Sequence, residues 1–290
     1  MTRTAVKVRG LAKRYGEVRA VDDMDLDIQA GEIFAILGPN GAGKSTAVEI
    51  LEGYRDRDAG EVSVLGVDPR HATRRWRARV GVVPQTAGDA AELTVRETLR
   101  HFAGYYPNPA DPEEVLDRVQ LADRADTRIR RLSGGQRRRV DVALGVIGNP
   151  ELLFLDEPTT GLDPEARRRL WRLIEDLARD GTTIVLTTHY LDEAEALAGR
   201  VAVLAGGRIV AEGAPATLGG RATAQARVTW LEDGRREHVD TGTPTTTVQR
   251  LARRFGGEVP ELSVTRPSLE DVYLRLIGSG AEPTTAGSVR

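Results

Sequence analysis

Nine consecutive residues, Gly38, Pro39, Asn40, Gly41, Ala42, Gly43, Lys44, Ser45 and Thr46, have the types and spacing to hold a polyphosphate. They fit the pattern G-x-x-x-x-G-K-[ST] at Gly38, Gly43, Lys44 and Ser45. Glycines let the backbone come close to phosphate oxygens, and a following helix would offer unpaired N–H groups and a positive dipole end. Lys44 would then reach the β- and γ-phosphates, Ser45 would give its hydroxyl to Mg²⁺, and Thr46 would add a donor at the α/β-phosphates. A second group lies at the end of the apolar run Glu151-Leu-Leu-Phe-Leu-Asp-Glu157. Burial of that run makes its acidic pair costly unless the pair meets a cation or a catalytic partner. Asp156 suits Mg²⁺ through water, and Glu157 can point at a nucleophilic water.

The elements needed to position these groups are legible around them. Glu32 to Leu37 reads as a buried strand and Ala47 to Leu51 as a helix, which is the strand, loop, helix context that the phosphate pattern requires. Val80 to Gln85 reads as another buried strand with Gln85 at its C-terminal end, and the β-branched strand Thr182 to Thr188 ends at His189. In open parallel sheets ligands bind at that end of the strands, which brings Gln85, Asp156 and His189 into consideration together. Leu132-Ser-Gly-Gly-Gln136 precedes a helix over Arg137 to Ile147, so Ser133 and the Gly134-Gly135 backbone form a second candidate anion site. Arg137 to Arg139 would favour an anion there or form a solvated face. Asp163-Pro164 reads as an N-cap and first helical residue, opening a helix over Glu165 to Ala178.

Composition bounds the rest. The 290 residues suit one large domain or a domain with a small appendage. Lys+Arg 41 against Asp+Glu 43 gives a net charge of -2, without the basic excess expected of a nucleic-acid binder. The chain has no cysteine, which excludes disulfides, thiolate metal sites and thiol nucleophiles. Met1 to Ala5 carries no apolar signal core, and no apolar run approaches the roughly 20 residues of a membrane helix, so a membrane role would need a partner.

Along the chain, Ala5 to Arg9 and Met24 to Ile28 alternate as half-exposed strands, with Lys13-Arg-Tyr-Gly-Glu17 as a polar turn between them. Tyr15 there could stack on a base or be a partly buried structural tyrosine. A strand follows over Glu61 to Leu65, and Arg74 to Arg79 is a basic run around Trp76, most simply a solvated helix. Thr94-Val-Arg-Glu97 is a capping box and Glu113 to Val119 a further helix. Val201 to Leu204 and Arg208 to Val210 suggest a hairpin across Gly206-Gly207. A boundary is expected near Gly219-Gly220. Beyond it come strands over Ala226 to Trp230, Glu237 to Asp240 and Leu262 to Thr265, a helix over Val248 to Phe255, and a last helix from Ser268 to Ile277. Its Leu269, Val272, Tyr273 and Leu276 share one face, suited to packing on its own domain. Residues 278–290 are small and polar and expected to be disordered.

Taken together, the phosphate loop, Gln85, Leu132 to Gln136, Leu152 to Glu157, Gly161-Leu-Asp163 and His189 resemble the ATP-binding cassette family in order and approximate spacing, over roughly residues 3–218. The resemblance implies an α/β fold: a phosphate-loop NTPase core with a mixed sheet, an antiparallel β subdomain and a helical subdomain at about 86–147. A small C-terminal α+β appendage would follow at 219–277, with the tail at 278–290. It further implies ATP and Mg²⁺ as cofactors. Tyr15 would stack on adenine, and Gln85 would contact Mg²⁺ or the attacking water and link the site to the helical subdomain. Asp156 would help hold Mg²⁺, Glu157 would be the general base, and His189 would contact the γ-phosphate. Ser133, Gly134, Gly135 and Gln136 would serve the nucleotide of a second copy in a head-to-tail dimer with two sandwiched ATPs, with Asp163 at its interface.

Residues 267–277 look like the appendage of exporter ATPases that work beside a separate membrane subunit, including multidrug and antibiotic-resistance systems. The expected function is therefore ATP hydrolysis powering efflux through a transmembrane permease docked near Gln85 to Leu99, at the cytoplasmic face of the membrane. A soluble switch acting on ribosomes or DNA, and an importer ATPase, are the alternatives. One phosphate loop, one Leu-Ser-Gly-Gly-Gln and the neutral charge weigh against the first.

Overall fold

The computed structural model describes residues 3–85 and 92–279, and elements are counted among these. In chain order they are β1 (Thr4–Tyr15), β2 (Val18–Gln29), β3 (Ile33–Leu37), α1 (Lys44–Leu51), β4 (Ala59–Val64), α2 (Arg74–Arg77) and β5 (Val80–Val83). The helices α3 (Val95–Ala103), α4 (Pro112–Arg118) and α5 (Gly134–Val146) follow, then β6 (Leu152–Asp156), α6 (Pro164–Arg179), β7 (Thr183–Thr188), α7 (Leu191–Leu197), β8 (Arg200–Ala205) and β9 (Arg208–Gly213). The remainder comprises β10 (Ala226–Glu232), β11 (Arg235–Thr241), α8 (Pro244–Phe255), β12 (Ser263–Thr265) and α9 (Leu269–Ser279). The chain divides into two compact units between Glu212 and Gly213.

In the first unit a six-stranded sheet has the order β5-β6-β7-β3-β8-β9, parallel from β5 through β8. Alternation along its strands gives it two buried faces. Phe34, Ile36, Phe154 and Val185 face a core shared with α1 and a separate antiparallel sheet, β2-β1-β4. Leu153, Leu155, Ile184 and Leu186 are also fully buried but stand outside that cluster. Helices α5, α6 and α7 pack against β5, β7 and β3. The strand order sets four loops side by side at one sheet end, those after β5, β6, β7 and β3, which carry Gln85, Asp156 with Glu157, His189 and the phosphate loop.

The antiparallel sheet differs from expectation. Ala5 to Arg9 and Met24 to Ile28 are the middle parts of two twelve-residue strands, and Tyr15 closes β1 instead of sitting in a wide turn. Register shifts between Val8 and Leu11 and between Leu11 and Lys13 break the alternation that sequence patterning looks for, while the strands continue through these bulges. Both capping signals hold: Glu97 N–H donates to Thr94 Oγ1 and Thr94 N–H to Glu97 Oε2, and Asp163 Oδ1 accepts from Ala166 N–H at 2.8 Å.

The second unit holds an antiparallel sheet in the order β11-β10-β12, with Val228 and Trp230 of β10 packed against Leu251 of α8 and against Val259. Leu269 and Val272 of α9 are buried, as their shared face predicts. The Gly219-Gly220 pair kinks a short turn over residues 218–223, and Gly219 sits so close to Val272 that a Cβ would come 2.5 Å from it. Those glycines therefore serve a turn inside the second unit. Gly278 and Ser279 close α9, and the rest of the expected disordered tail lies outside the described residues.

Candidate functional site

The loop after β3 is shaped by backbone approaches that exclude side chains. A Cβ on Gly38 would lie 2.5 Å from the Leu204 carbonyl oxygen, and one on Gly43 would lie 2.0 Å from that of Ala20. Gly43 also has φ 101, a left-handed value that a residue with a Cβ adopts only under strain. It caps α1, which begins at Lys44, three residues earlier than the apolar pattern suggests. Lys44 is 6% exposed and its Nζ donates to the carbonyls of Gly38 at 2.7 Å and Pro39 at 3.2 Å. Burial holds the ammonium pKa below its ordinary value, with Glu157 and Asp156 acting in the opposite direction. A buried cation inside a curl of backbone, at the start of a helix, fits a triphosphate.

Glu157 is the centre of the opposing wall. It sits just past β6 with φ 44, strained for a non-glycine residue, and its N–H donates to the carbonyl and the hydroxyl of Thr187, each at 3.1 Å. That grip fixes the carboxylate direction. Gln85 Nε2 donates to Glu157 Oε2 at 3.1 Å, the Thr160 hydroxyl donates to the same oxygen at 3.2 Å, and His189 Nδ1 lies 3.2 Å from Oε1. Asp156 Oδ1 accepts from the Thr187 hydroxyl. The structure thus gathers Gln85, Glu157 and His189 around one carboxylate, with Lys44 near enough for both acids to act on its charge. Ser45 and Asp156 line a common cavity of about 570 Å³.

Two predicted groups stand apart from this cluster. Tyr15 is 42% exposed, with Lys13 Nζ 5.6 Å and Arg55 Cζ 5.4 Å from its ring centroid, an exposed aromatic face framed by cations. Ser133 and Gln136 form a capping box at the start of α5, Ser133 N–H donating to Gln136 Oε1 at 2.9 Å and Gln136 N–H to Ser133 Oγ at 3.3 Å. Among the described residues no hydrogen bond joins Ser133, Gly134, Gly135 or Gln136 to residues 38–46.

Two important residues escaped sequence reasoning. Thr187 orients both acids, but nothing in a β-branched strand marks one threonine from its neighbours. Arg138 is neither an anion ligand nor part of a solvated face. Its buried guanidinium donates to the carbonyls of Pro84 at 2.6 Å, Asp156 at 2.8 Å and Pro158 at 2.9 Å, with Asp141 3.7 Å away. It ties together the chain segments that carry Gln85 and Glu157.

A phosphate loop, a buried lysine and a carboxylate held at the same end of the sheet, one strand removed, define a phosphate-loop ATPase. Comparison with known proteins narrows the class. The family described as ABC transporter matches residues 21–160. A daunorubicin resistance ATP-binding protein from Streptomyces coeruleorubidus is 38% identical, covering 97% of this chain and 98% of that one. A Nod factor export ATP-binding protein I from Burkholderia thailandensis is 43% identical, covering 75% and 73%. Among solved structures, an ABC transporter cassette in its ADP conformation aligns with a TM-score of 0.66 at 26% identity, over 73% of this chain and 92% of that one. A dimeric post-hydrolysis cassette bound to ADP and Pi gives 0.65 at 27% identity, over 72% and 98%. This chain belongs to the ABC transporter family, as one of its ATP-binding, ATP-hydrolysing cassettes. Among the described residues no helix is long and apolar enough to cross a membrane.

Proposed function

We propose that this chain hydrolyses ATP to power export through a separate transmembrane partner, working at the cytoplasmic face of the membrane as a head-to-tail pair with a second copy. Residues 1–218 form the ATP-binding domain in this reading, and residues 219–277 an accessory domain. The observation that carries it is the Glu157 carboxylate, strained in backbone and held between Gln85, Thr160 and His189 beside the buried Lys44.

The loop from Gly38 to Thr46 cradles the phosphates, and Lys44 exchanges its carbonyl partners for β- and γ-oxygens. Ser45 through its hydroxyl, and Asp156 and Gln85 directly or through water, would hold Mg²⁺, which would supply charge neutralisation on those oxygens. Among the described residues no group of three or more acids and histidines could hold a metal alone, which suits a cation that keeps waters and shares substrate phosphates. Tyr15 offers its open face to adenine. Glu157 orients and deprotonates the attacking water, and Gln85 and His189 fix that carboxylate, His189 also reaching the γ-phosphate. Positioned donors and charge of this kind supply most of the catalysis in phosphoryl transfer.

The second copy contributes Ser133, Gly134, Gly135 and Gln136, with Asp163 at the interface. A Cβ added to Gly134 would meet nothing within 4 Å, so its small size serves no packing within its own chain, as expected of a surface that receives another molecule. Export is favoured over import, and over action on ribosomes or DNA, by the resistance and export proteins among the relatives, one matched over almost its whole length. The permease is expected to dock near Gln85 to Leu99, of which residues 86–91 lie outside the described residues.

Glu157→Gln should leave ATP affinity intact and slow hydrolysis by about 10²- to 10⁴-fold, the usual contribution of a general base. Undiminished turnover, measured as phosphate release by the purified variant, would remove Glu157 from this role. Failure of the native chain to co-purify with any membrane protein would count against the transport reading.

A further inference from the structure

The start of α7 buries an acid for which the site as described has no use. Glu193 is 0% exposed and, among the described residues, has no cation within ion-pair distance. The nearby Arg167 is bound instead to Asp192 at 3.0 Å, with its guanidinium carbon 4.8 Å from the Tyr190 ring centroid. Burial pushes the Glu193 carboxyl pKa up, against the Thr188 and Thr159 hydroxyls, the Trp171 N–H and the charge of Arg167, which favour the ionised form. A buried acid without an ion-pair partner costs stability that an apolar side chain of similar shape would not. Ala194 and Leu197 of the same helix are buried apolar residues, so packing alone does not call for a carboxyl here.

Around that carboxyl lie the two segments that carry Glu157 and His189. Thr159 sits in the turn that Glu157 opens: Thr160 N–H donates to the Glu157 carbonyl at 3.3 Å and Leu162 N–H to the Thr159 carbonyl at 3.1 Å. Thr188 ends β7 and shapes the next turn, its hydroxyl accepting from Tyr190 N–H at 2.9 Å with His189 between them. Helix α6 anchors the acid itself, Trp171 Nε1 donating to Glu193 Oε1 at 3.3 Å. Among the described residues the buried side-chain atoms that complete no hydrogen bond are Thr159 Oγ1, Arg167 Nε and Glu193 Oε2, and all three belong to this group. Buried polar atoms are normally satisfied, so exceptions gathered in one place call for an explanation.

We propose that Glu193 is a positioning residue for hydrolysis, its carboxyl setting the turn of Glu157 against that of His189 through the Thr159 and Thr188 hydroxyls. This rests on the reading of Glu157 as the base and His189 as a γ-phosphate contact. One hydrogen bond between Glu193 Oε2 and Thr159 Oγ1 would satisfy both open atoms and seat the Glu157 turn against α7. The Thr188 hydroxyl, which accepts from Tyr190 N–H, keeps its own proton to donate to the carboxyl. Because burial favours the neutral acid, a neutral side chain with the same hydrogen-bonding atoms can take its place. An acid that merely complemented the α7 N-terminus would act on stability, and turnover would not depend on it.

Steady-state ATP hydrolysis by the purified full chain tests the proposal, with urea unfolding measured on each variant. Glu193→Leu, close in shape and without polar atoms, should lower kcat by about 10- to 100-fold while the KM for ATP stays within about threefold of native. Glu193→Gln keeps hydrogen-bonding atoms at the same place and should recover most of the lost turnover, which a helix-dipole role would not allow. If Glu193→Leu does not fold, Thr159→Val carries the test, since it removes one hydroxyl and little else: its kcat should fall by about fivefold or more at unchanged KM. Where both fold, the double variant should be no slower than Glu193→Leu alone, because the two residues act through one contact. Native kcat in Glu193→Leu and Thr159→Val, whatever their stability, would overturn the proposal. So would turnover in Glu193→Gln as low as in Glu193→Leu, or losses that multiply in the double variant. Glu157→Gln run alongside separates this inference from the reading it rests on. If that variant turns over at the native rate, the base assignment fails and this inference with it. If it is inactive while the Glu193 and Thr159 variants are native, the base assignment stands and this inference alone is wrong.

Discussion

Replacing Arg138 by Met would strip three carbonyls of a charged donor in the layer that supports the site. The carbonyls of Pro84, Asp156 and Pro158 lose their guanidinium bonds, and Asp141, whose carboxyl pKa burial raises against the pull of Arg138, loses its nearest cation. Hydrogen bonds to a charged group contribute about 1.5–3 kcal/mol each, but they share one desolvation cost. Removing one partner of a buried ionic arrangement typically costs about 3–5 kcal/mol, and that range is expected here. Urea unfolding followed by far-ultraviolet circular dichroism measures it. Because Pro84 and Asp156 immediately precede Gln85 and Glu157, turnover should fall at least about tenfold, by loss of positioning, while ATP affinity changes little. Arg138→Lys should recover only part of both, since one ammonium cannot span three carbonyls. If Arg138→Met proves too unstable to assay, adding Asp141→Asn should restore part of the stability. A loss below about 1 kcal/mol with normal turnover would refute the tie.

Two further outcomes follow from single groups. Burial, with Asp156 and Glu49 adding, pushes the Glu52 carboxyl from 4.5 up to about 8. The folded state therefore binds one more proton than the unfolded state between those values, and stability falls as pH rises through that window by up to about 1.4 kcal/mol per unit. Glu52→Gln should match the native chain near the lower value and exceed it increasingly towards the upper one, in denaturant titrations without nucleotide; parallel pH profiles would contradict this. Gly43→Ala should abolish ATP binding, because its Cβ would lie 2.0 Å from a backbone oxygen and its φ is left-handed. Equilibrium binding of a fluorescent ATP analogue at native affinity would count against the loop's shape as described.

The parts of the site that were legible in sequence are those where chemistry needs a residue type at a fixed spacing. Gly38, Gly43 and Lys44 answer to backbone approach and charge within one short loop. Gln85, Asp156, Glu157 and His189 could be grouped because each lies at the C-terminal end of a strand that reads as buried, and a parallel sheet places such residues at one end. What lay outside reach depends on long-range contact. Arg138 sits among three consecutive arginines, and only the packing of α5 on β5 selects the one that turns inward. Thr187 acts through a neighbouring strand. The bulged β1–β2 hairpin hid its length because each register shift resets the alternation, and Trp76 is buried in a helix whose other residues are all arginine.

In the proposed dimer, one chain's phosphate loop and another chain's Ser133 to Gln136 close a single ATP site. Sedimentation of Glu157→Gln with and without ATP and Mg²⁺ tests it, alongside the same variant carrying Ser133→Arg. The first should form a dimer only with nucleotide; the second should bind ATP yet remain monomeric. Dimers that form without nucleotide, or that survive Ser133→Arg, would contradict the claim.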